Sequence, residues 1–197
     1  MIRYIIKTYK AVKMKKFTKN YISKLIKLLK DIDLDVVEEI VTSLETTKGR
    51  IYIIGNGGSA ATASHMVNDL GVGLKRRDIK KFDVVSLSDN TPVCSAISND
   101  IGYENVFYMQ LKDIIKKDDL LIAISCSGNS KNIIKAVKYA KKQNTKIIGL
   151  TGFDGGKLKK LSDINFHIDT KAGEYGLVED MHMILDHIIY SYYIDKG

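Results

Sequence analysis

Four histidines and a scatter of carboxylates carry the acid–base potential of this chain. His65 and Asp69 stand four residues apart in a segment of helical periodicity, so one helix face presents both. Glu179, His182 and His187 fall in a second such segment, GLVEDMHMILDHIIYSYY. Glu179 and His187, eight residues apart, are a little over two turns from each other and converge if the helix presents that edge. Asp180 and His187, seven apart, align more closely. Two histidines and two carboxylates suit a tetrahedral zinc ion, which takes N and O ligands. The same groups can instead serve as a base and acid pair that moves a proton. His167 lies inside the apolar run INFHI and is expected to be structural.

Two further segments have the chemistry of a phosphate cradle. One is Gly55-Asn56-Gly57-Gly58-Ser59 and the other is Ser125-Cys126-Ser127-Gly128-Asn129-Ser130. Each follows a short apolar run and precedes a helical segment. Glycine lets the backbone turn tightly and expose its N–H groups. A helix N-terminus adds unpaired donors and partial positive charge, and serine hydroxyls add more donors. Ala60 stands where a GxGxxG motif needs its third glycine, and no Gly-Lys-Ser/Thr occurs. The pair of loops therefore favours a small phosphorylated ligand over a dinucleotide or a nucleoside triphosphate.

These loops need a frame. Five short, nearly continuous apolar runs, RIYIIG, FDVVSL, LLIAIS, KIIGLT and INFHI, alternate with helical segments at about 59–72, 91–98, 103–116, 129–143 and 156–162. A last helix is expected over 174–193. The alternation predicts an α/β fold, a doubly wound, mainly five-stranded parallel sheet buried on both faces. Ligands bind beyond the carboxyl ends of the strands of such a sheet. Ahead of it, residues 17–30 and 34–46 each carry an apolar stripe, with Asp33 as N-cap of the second, and predict an N-terminal helical hairpin. The domain reading is 1–48 for oligomerisation and 49–197 for the α/β domain.

The chain has 197 residues, 45% of them apolar and 27% charged, with one proline and a net charge of +8. That describes a globular protein, and no apolar run approaches the roughly 18 residues that span a bilayer. No cleaved signal peptide is expected. Residues 1–30 hold ten Lys/Arg and no Asp/Glu, whereas the remainder holds 21 basic and 23 acidic side chains, a balance of −2. The positive charge thus belongs to the N-terminal segment, and the body offers no basic face for nucleic acid. Met14 is a second plausible start. Two cysteines, Cys94 and Cys126, are too few for a disulfide scaffold, which points to a cytoplasmic setting.

The motifs GNGGSAATASH (55–65), SLSDNTPVCSAISNDIGYENVF (86–107), SCSGNS (125–130), LTGFDGGKL (150–158) and VEDMHMILDH, in this order, resemble the phosphoheptose isomerases of the sugar isomerase (SIS) domain family. The resemblance spans the chain from its first helices to its last. It implies interconversion of sedoheptulose 7-phosphate and D-glycero-D-manno-heptose 7-phosphate through an enediol, supplying heptose to surface glycans such as lipopolysaccharide or capsule. It also implies a homotetramer built on the N-terminal helices, and zinc. By the same resemblance Asn56, Gly57, Gly58, Asn99 and Asp100 meet the sugar, and Ser125, Cys126, Ser127 and Ser130 hold the phosphate. His65, Asp69, Glu179 and His187 become the metal positions, Asp69 and Glu179 also face substrate, and Asp69 and His187 act as base and acid. Three residues depart from the family pattern: Asp69 for the usual glutamate base, Glu179 for the usual glutamine ligand, and Cys126 for a common threonine. The alternatives are a non-catalytic SIS module acting in protein interaction, and an isomerase or sensor of another sugar phosphate.

Overall fold

A computed structural model describes the backbone of residues 2–197 and the side chains from residue 13 onward. The chain forms two compact units, residues 1–32 and 33–197. The first is one helix, α1 (Ile2–Lys30), with Lys27 and Lys30 in its last turn, where positive charge complements the helix dipole. Phe17, Ile22, Ile26 and Leu29 are exposed along it. Of the residues ahead of the second plausible start at Met14, those up to residue 12 lie outside the described side chains.

The second unit opens with α2 (Leu34–Thr46), whose N-cap Asp33 accepts bonds from the backbone N–H groups of Asp35 and Val36. It buries Ile40 and Leu44 and packs against the last strand. The sequence boundary at residue 48 marks the change from helical to strand pattern, whereas the structural units divide ahead of α2.

Five strands follow: β1 (Ile51–Gly55), β2 (Val84–Ser86), β3 (Leu120–Ser125), β4 (Lys146–Phe153) and β5 (Ile164–Asp169). All pair in parallel in the order β2-β1-β3-β4-β5. The chain moves outward from β1 to β2, then returns past β1 to β3. The switch point therefore falls between the ends of β1 and β3, where the two glycine-serine loops begin. Every residue of β1 and β3 is buried, as a sheet covered on both faces requires.

On one face, Tyr52, Ile54, Leu121, Ala123 and Ile147 join a core with Val106, Phe107 and Leu111 of α5 (Val106–Leu111) and Ile133, Val137 and Ala140 of α6 (Lys131–Lys142). Leu158 of α7 (Gly156–Leu161) closes that layer. Helix α4 (Thr91–Ile101) precedes α5, with Asn90 as its side-chain cap. On the other face, α3 (Gly58–Met66) packs on β1, and α8 (Tyr175–Lys196) packs on β4 and against α3.

Two helical expectations change in detail. The helix foreseen over 103–116 is a single 3₁₀ turn followed by α5, which stops at Leu111 because Asp113 turns left-handed at φ 61°. The Asp113 amide then bonds the Tyr139 hydroxyl at 2.9 Å. The helix foreseen over 59–72 begins as α3 and widens into π-helical turns over Val67–Gly73.

Candidate functional site

The widened turns begin two residues after His65. Leu74 N–H reaches back five residues to the Asp69 carbonyl at 3.0 Å. Such π-helical turns are uncommon and concentrate at functional positions. Asp69 is buried among them, its Oδ1 accepting from the Asn68 amide at 2.9 Å. Its Oδ2 lies 3.5 Å from His65 Nε2. Across from them, α8 brings His187 Nε2 to 3.1 Å from His65 Nε2. Asp186, beside His187, points its Oδ2 toward His65 Nε2 at 3.9 Å. One ligand atom from each of His65, Asp69, Asp186 and His187 lies within 4.8 Å of all the others. Burial, with the Asp69 charge adding to it, pushes the Asp186 carboxyl up to about 7.

The donor set tests whether a metal suits this place. Zn–N bonds of about 2.0–2.1 Å in a tetrahedron set ligand atoms about 3.3 Å apart. The 3.1 Å and 3.5 Å separations bracket that edge. Two neutral imidazoles and two carboxylates are also the donors a borderline divalent ion prefers. The residues present fit zinc.

At the switch point, Asn56 follows β1 and Asn132 opens α6. Their side-chain amides bond each other head to tail, at 2.9 Å and 2.8 Å. The Tyr103 hydroxyl adds a bond to Asn56 Oδ1 at 2.8 Å, and Asn132 Oδ1 accepts the Ile133 amide at 2.9 Å. Gly57 takes φ 54° at the head of α3, with open space where a side chain would project. A Cβ on Gly58 would overlap the Glu179 carboxylate.

In the second loop the Ser125 and Ser130 hydroxyls lie 3.3 Å apart, and the Asn129 amide turns onto Ser127 Oγ. Gly128, at φ 59°, is pressed so close to the Gly155 carbonyl that no side chain fits. Burial, then the nearby Glu179 charge, pushes the Cys126 thiol up to about 11, so it is neutral and not a nucleophile near pH 7.

Among the residues singled out in the sequence, His65, Asp69 and His187 come together. Glu179 lies apart from them, over Gly58 and near Cys126. Asn99 and Asp100 are exposed on α4 and bond each other at 2.9 Å. His167 pairs with Thr151 Oγ1 at 3.0 Å, and burial lowers its pKa. Asp186, Asn132 and Tyr103 were not foreseen. For Asp186 a signal exists: Val178, Met181, His182, Leu185, Asp186 and Ile189 form the buried stripe of α8, and a carboxylate on that stripe is out of place.

An open parallel sheet with a serine loop and a glycine loop at its switch point defines a class, and the comparisons identify it. The SIS domain family model matches residues 16–152. The phosphoheptose isomerase of Helicobacter pylori strain P12 is 38% identical over 171 residues, 87% of either chain. That of Aliarcobacter butzleri is 40% identical over 149 residues, 75% of this chain and 77% of its own. Among solved structures, the phosphoheptose isomerase of Neisseria gonorrhoeae superposes with a TM-score of 0.81 at 27% identity, covering 92% of this chain and 99% of that one. The chain belongs to the SIS domain family, on its phosphoheptose isomerase branch. Among the described residues no helix is long and apolar enough to cross a membrane.

Proposed function

We propose that the protein is an aldose–ketose isomerase that interconverts sedoheptulose 7-phosphate and D-glycero-D-manno-heptose 7-phosphate. The observation that carries this is the meeting of His65, Asp69 and His187, brought together by α3, the turns after it and α8, in a chain so similar to named phosphoheptose isomerases. The serines at 125, 127 and 130 hold the phosphate, and that remote binding energy orients the reacting carbons. Asn56, Gly57, Gly58, Asn99, Asp100 and Glu179 contact the sugar. Asp69 takes the proton from the carbon beside the carbonyl and returns it to the neighbouring carbon. The C–H electron pair becomes the enediol double bond and His187 protonates the carbonyl oxygen; as the proton returns to carbon, the neighbouring hydroxyl gives its proton back to His187 and becomes the new carbonyl. Asn68 occupies Asp69 Oδ1, which leaves Oδ2, 3.5 Å from His65 Nε2, for this transfer. Alternatively, His65 and His187 with the carboxylates beside them would hold zinc, which would supply Lewis-acid polarisation of the carbonyl oxygen in place of that acid. The presence of both histidines and Asp69 speaks against a non-catalytic module.

We further propose a cytoplasmic homotetramer supplying heptose to surface glycans, with residues 1–48 as its assembly segment. The exposed apolar residues of α1 support it, since such a stripe otherwise faces water. Light scattering at micromolar concentration should give four copies, and a stable monomer would end this part of the reading.

The deciding experiment incubates the purified protein with sedoheptulose 7-phosphate in deuterated water. NMR should show heptose 7-phosphate carrying deuterium at C2. No product and no exchange, with the sugar phosphate bound, would refute the isomerase.

A further inference from the structure

The resemblance assigns no role to Asp186, yet it is the most anomalous polar side chain of the second unit. It has no exposed surface, and neither carboxylate oxygen has a hydrogen-bond partner. A buried carboxylate normally has a cation, a metal or several donors. The groups that face Asp186 are a second carboxylate, Asp69, and the two imidazoles of His65 and His187. The two Nε2 atoms, 3.1 Å apart, can share only one proton between them, so one bond is the most they give each other. Without a cation the group therefore holds opposed carboxylates and crowded imidazoles. A divalent ion relieves all four at once.

Glu179 does not compete for this place. It lies over Gly58 at the head of α3. Eight residues of helix, about 12 Å of rise, separate it from His187, whereas Asp186 is the neighbouring residue.

We propose that Asp186, not Glu179, is the carboxylate that keeps a divalent metal bound together with His65 and His187. The proposal rests on the metal-site reading above. Its consequence is a division of labour between the two aspartates. Asp186 has no exposed surface, so it stays on the metal. Asp69 is then not needed for retention and is available as the base.

The test measures metal directly. Zinc affinity is read by competition with a chromophoric chelator, and the coordination of added cobalt(II) by its visible absorption. Asp186→Asn should lower zinc affinity by more than the 10–100-fold typical of residues that merely support a ligand, and should change the cobalt spectrum. Glu179→Gln should leave both as in the wild type. In the metal-free state Asp186→Leu should melt no lower than the wild type, because it removes a buried unpaired charge, and zinc should no longer raise its melting temperature. Circular dichroism establishes that the variants fold, and retained sugar-phosphate binding does so again for the Asp186 variants. Wild-type affinity and spectrum in Asp186→Asn would overturn the proposal, as would loss of both in Glu179→Gln. A wild type that binds neither zinc nor cobalt would overturn the metal reading with it. A wild type that binds zinc but exchanges no deuterium would instead refute the isomerase and leave Asp186 as a ligand.

Discussion

Around Asn56 and Asn132 both side-chain amides are paired, and a tyrosine hydroxyl adds a third bond. Around Asp186 neither oxygen has a partner. Both places are polar and both belong to the α/β unit. The switch-point loops are complete in themselves and need a ligand only to gain new bonds. The histidine–aspartate group is incomplete in itself. A site that recognises a flexible sugar phosphate benefits from donors already held in place, because little ordering remains to be done on binding. A site that recognises a small cation can leave its charges unpaired, since the ion supplies what is missing.

The largest effect expected on this contrast comes from Asp69→Asn. It should reduce turnover and C2 deuterium exchange by roughly 10²–10⁴-fold, the usual contribution of a general base. Calorimetry should find sugar-phosphate affinity nearly unchanged, and exchange at the wild-type rate would move the base elsewhere. A second test asks whether burial without a full set of partners is costly in a neutral group too. His182 is buried, bonds the Thr151 carbonyl through Nε2 at 3.3 Å, and leaves Nδ1 without a partner. Burial lowers its pKa from 6.5 to about 4. Between those values the unfolded chain takes up a proton that the folded chain refuses, so this contribution to stability is present above pH 6.5 and falls as pH drops toward 4. The slope approaches about 1.4 kcal/mol per pH unit. Urea unfolding of metal-free protein at pH 6.5 and 4.5 should show a smaller loss in His182→Gln than in the wild type.

Asn132→Ala breaks the completed region. It removes a partner from the half-buried Asn56 amide and from the buried Ile133 N–H and should cost about 1–3 kcal/mol in urea unfolding. A neutral result would mean that water replaces the bonds and that the region is less closed than its geometry indicates. The smallest effect is expected at the serine loop. Ser127→Ala with Ser130→Ala should weaken sugar-phosphate binding about tenfold, since backbone N–H groups remain to hold the anion. Unchanged affinity would remove the phosphate from this loop.

The strands were legible because β-branched, fully apolar runs of this length have few other uses, and all five lie where the runs are. The α5 boundary was not, because Asp113 ends the helix by a left-handed turn that aspartate tolerates but does not announce. His65 and Asp69 could be read as neighbours from their spacing, though not the π-helical turns that follow. Asp186 was not legible from the family likeness, which points to Glu179 on the same helix. The out-of-phase carboxylate on α8 is visible in the sequence only when each turn of the buried stripe is checked for charge. The Asn132 and Tyr103 pairing with Asn56 spans 76 and 47 residues and is created by the sheet order alone.

The widened turns between Val67 and Gly73 also govern how this region opens to solvent. Their hydrogen-bonded rings are one residue larger than those of an α-helix, and the ladder is weakest where the register changes. Amide hydrogens there should exchange earlier than those of β1 and β3 on either side of the switch point. Deuterium uptake followed by mass spectrometry would then trace a path of local melting that begins beside Asp69. The segment that aims the base would then also be the one through which the core first yields.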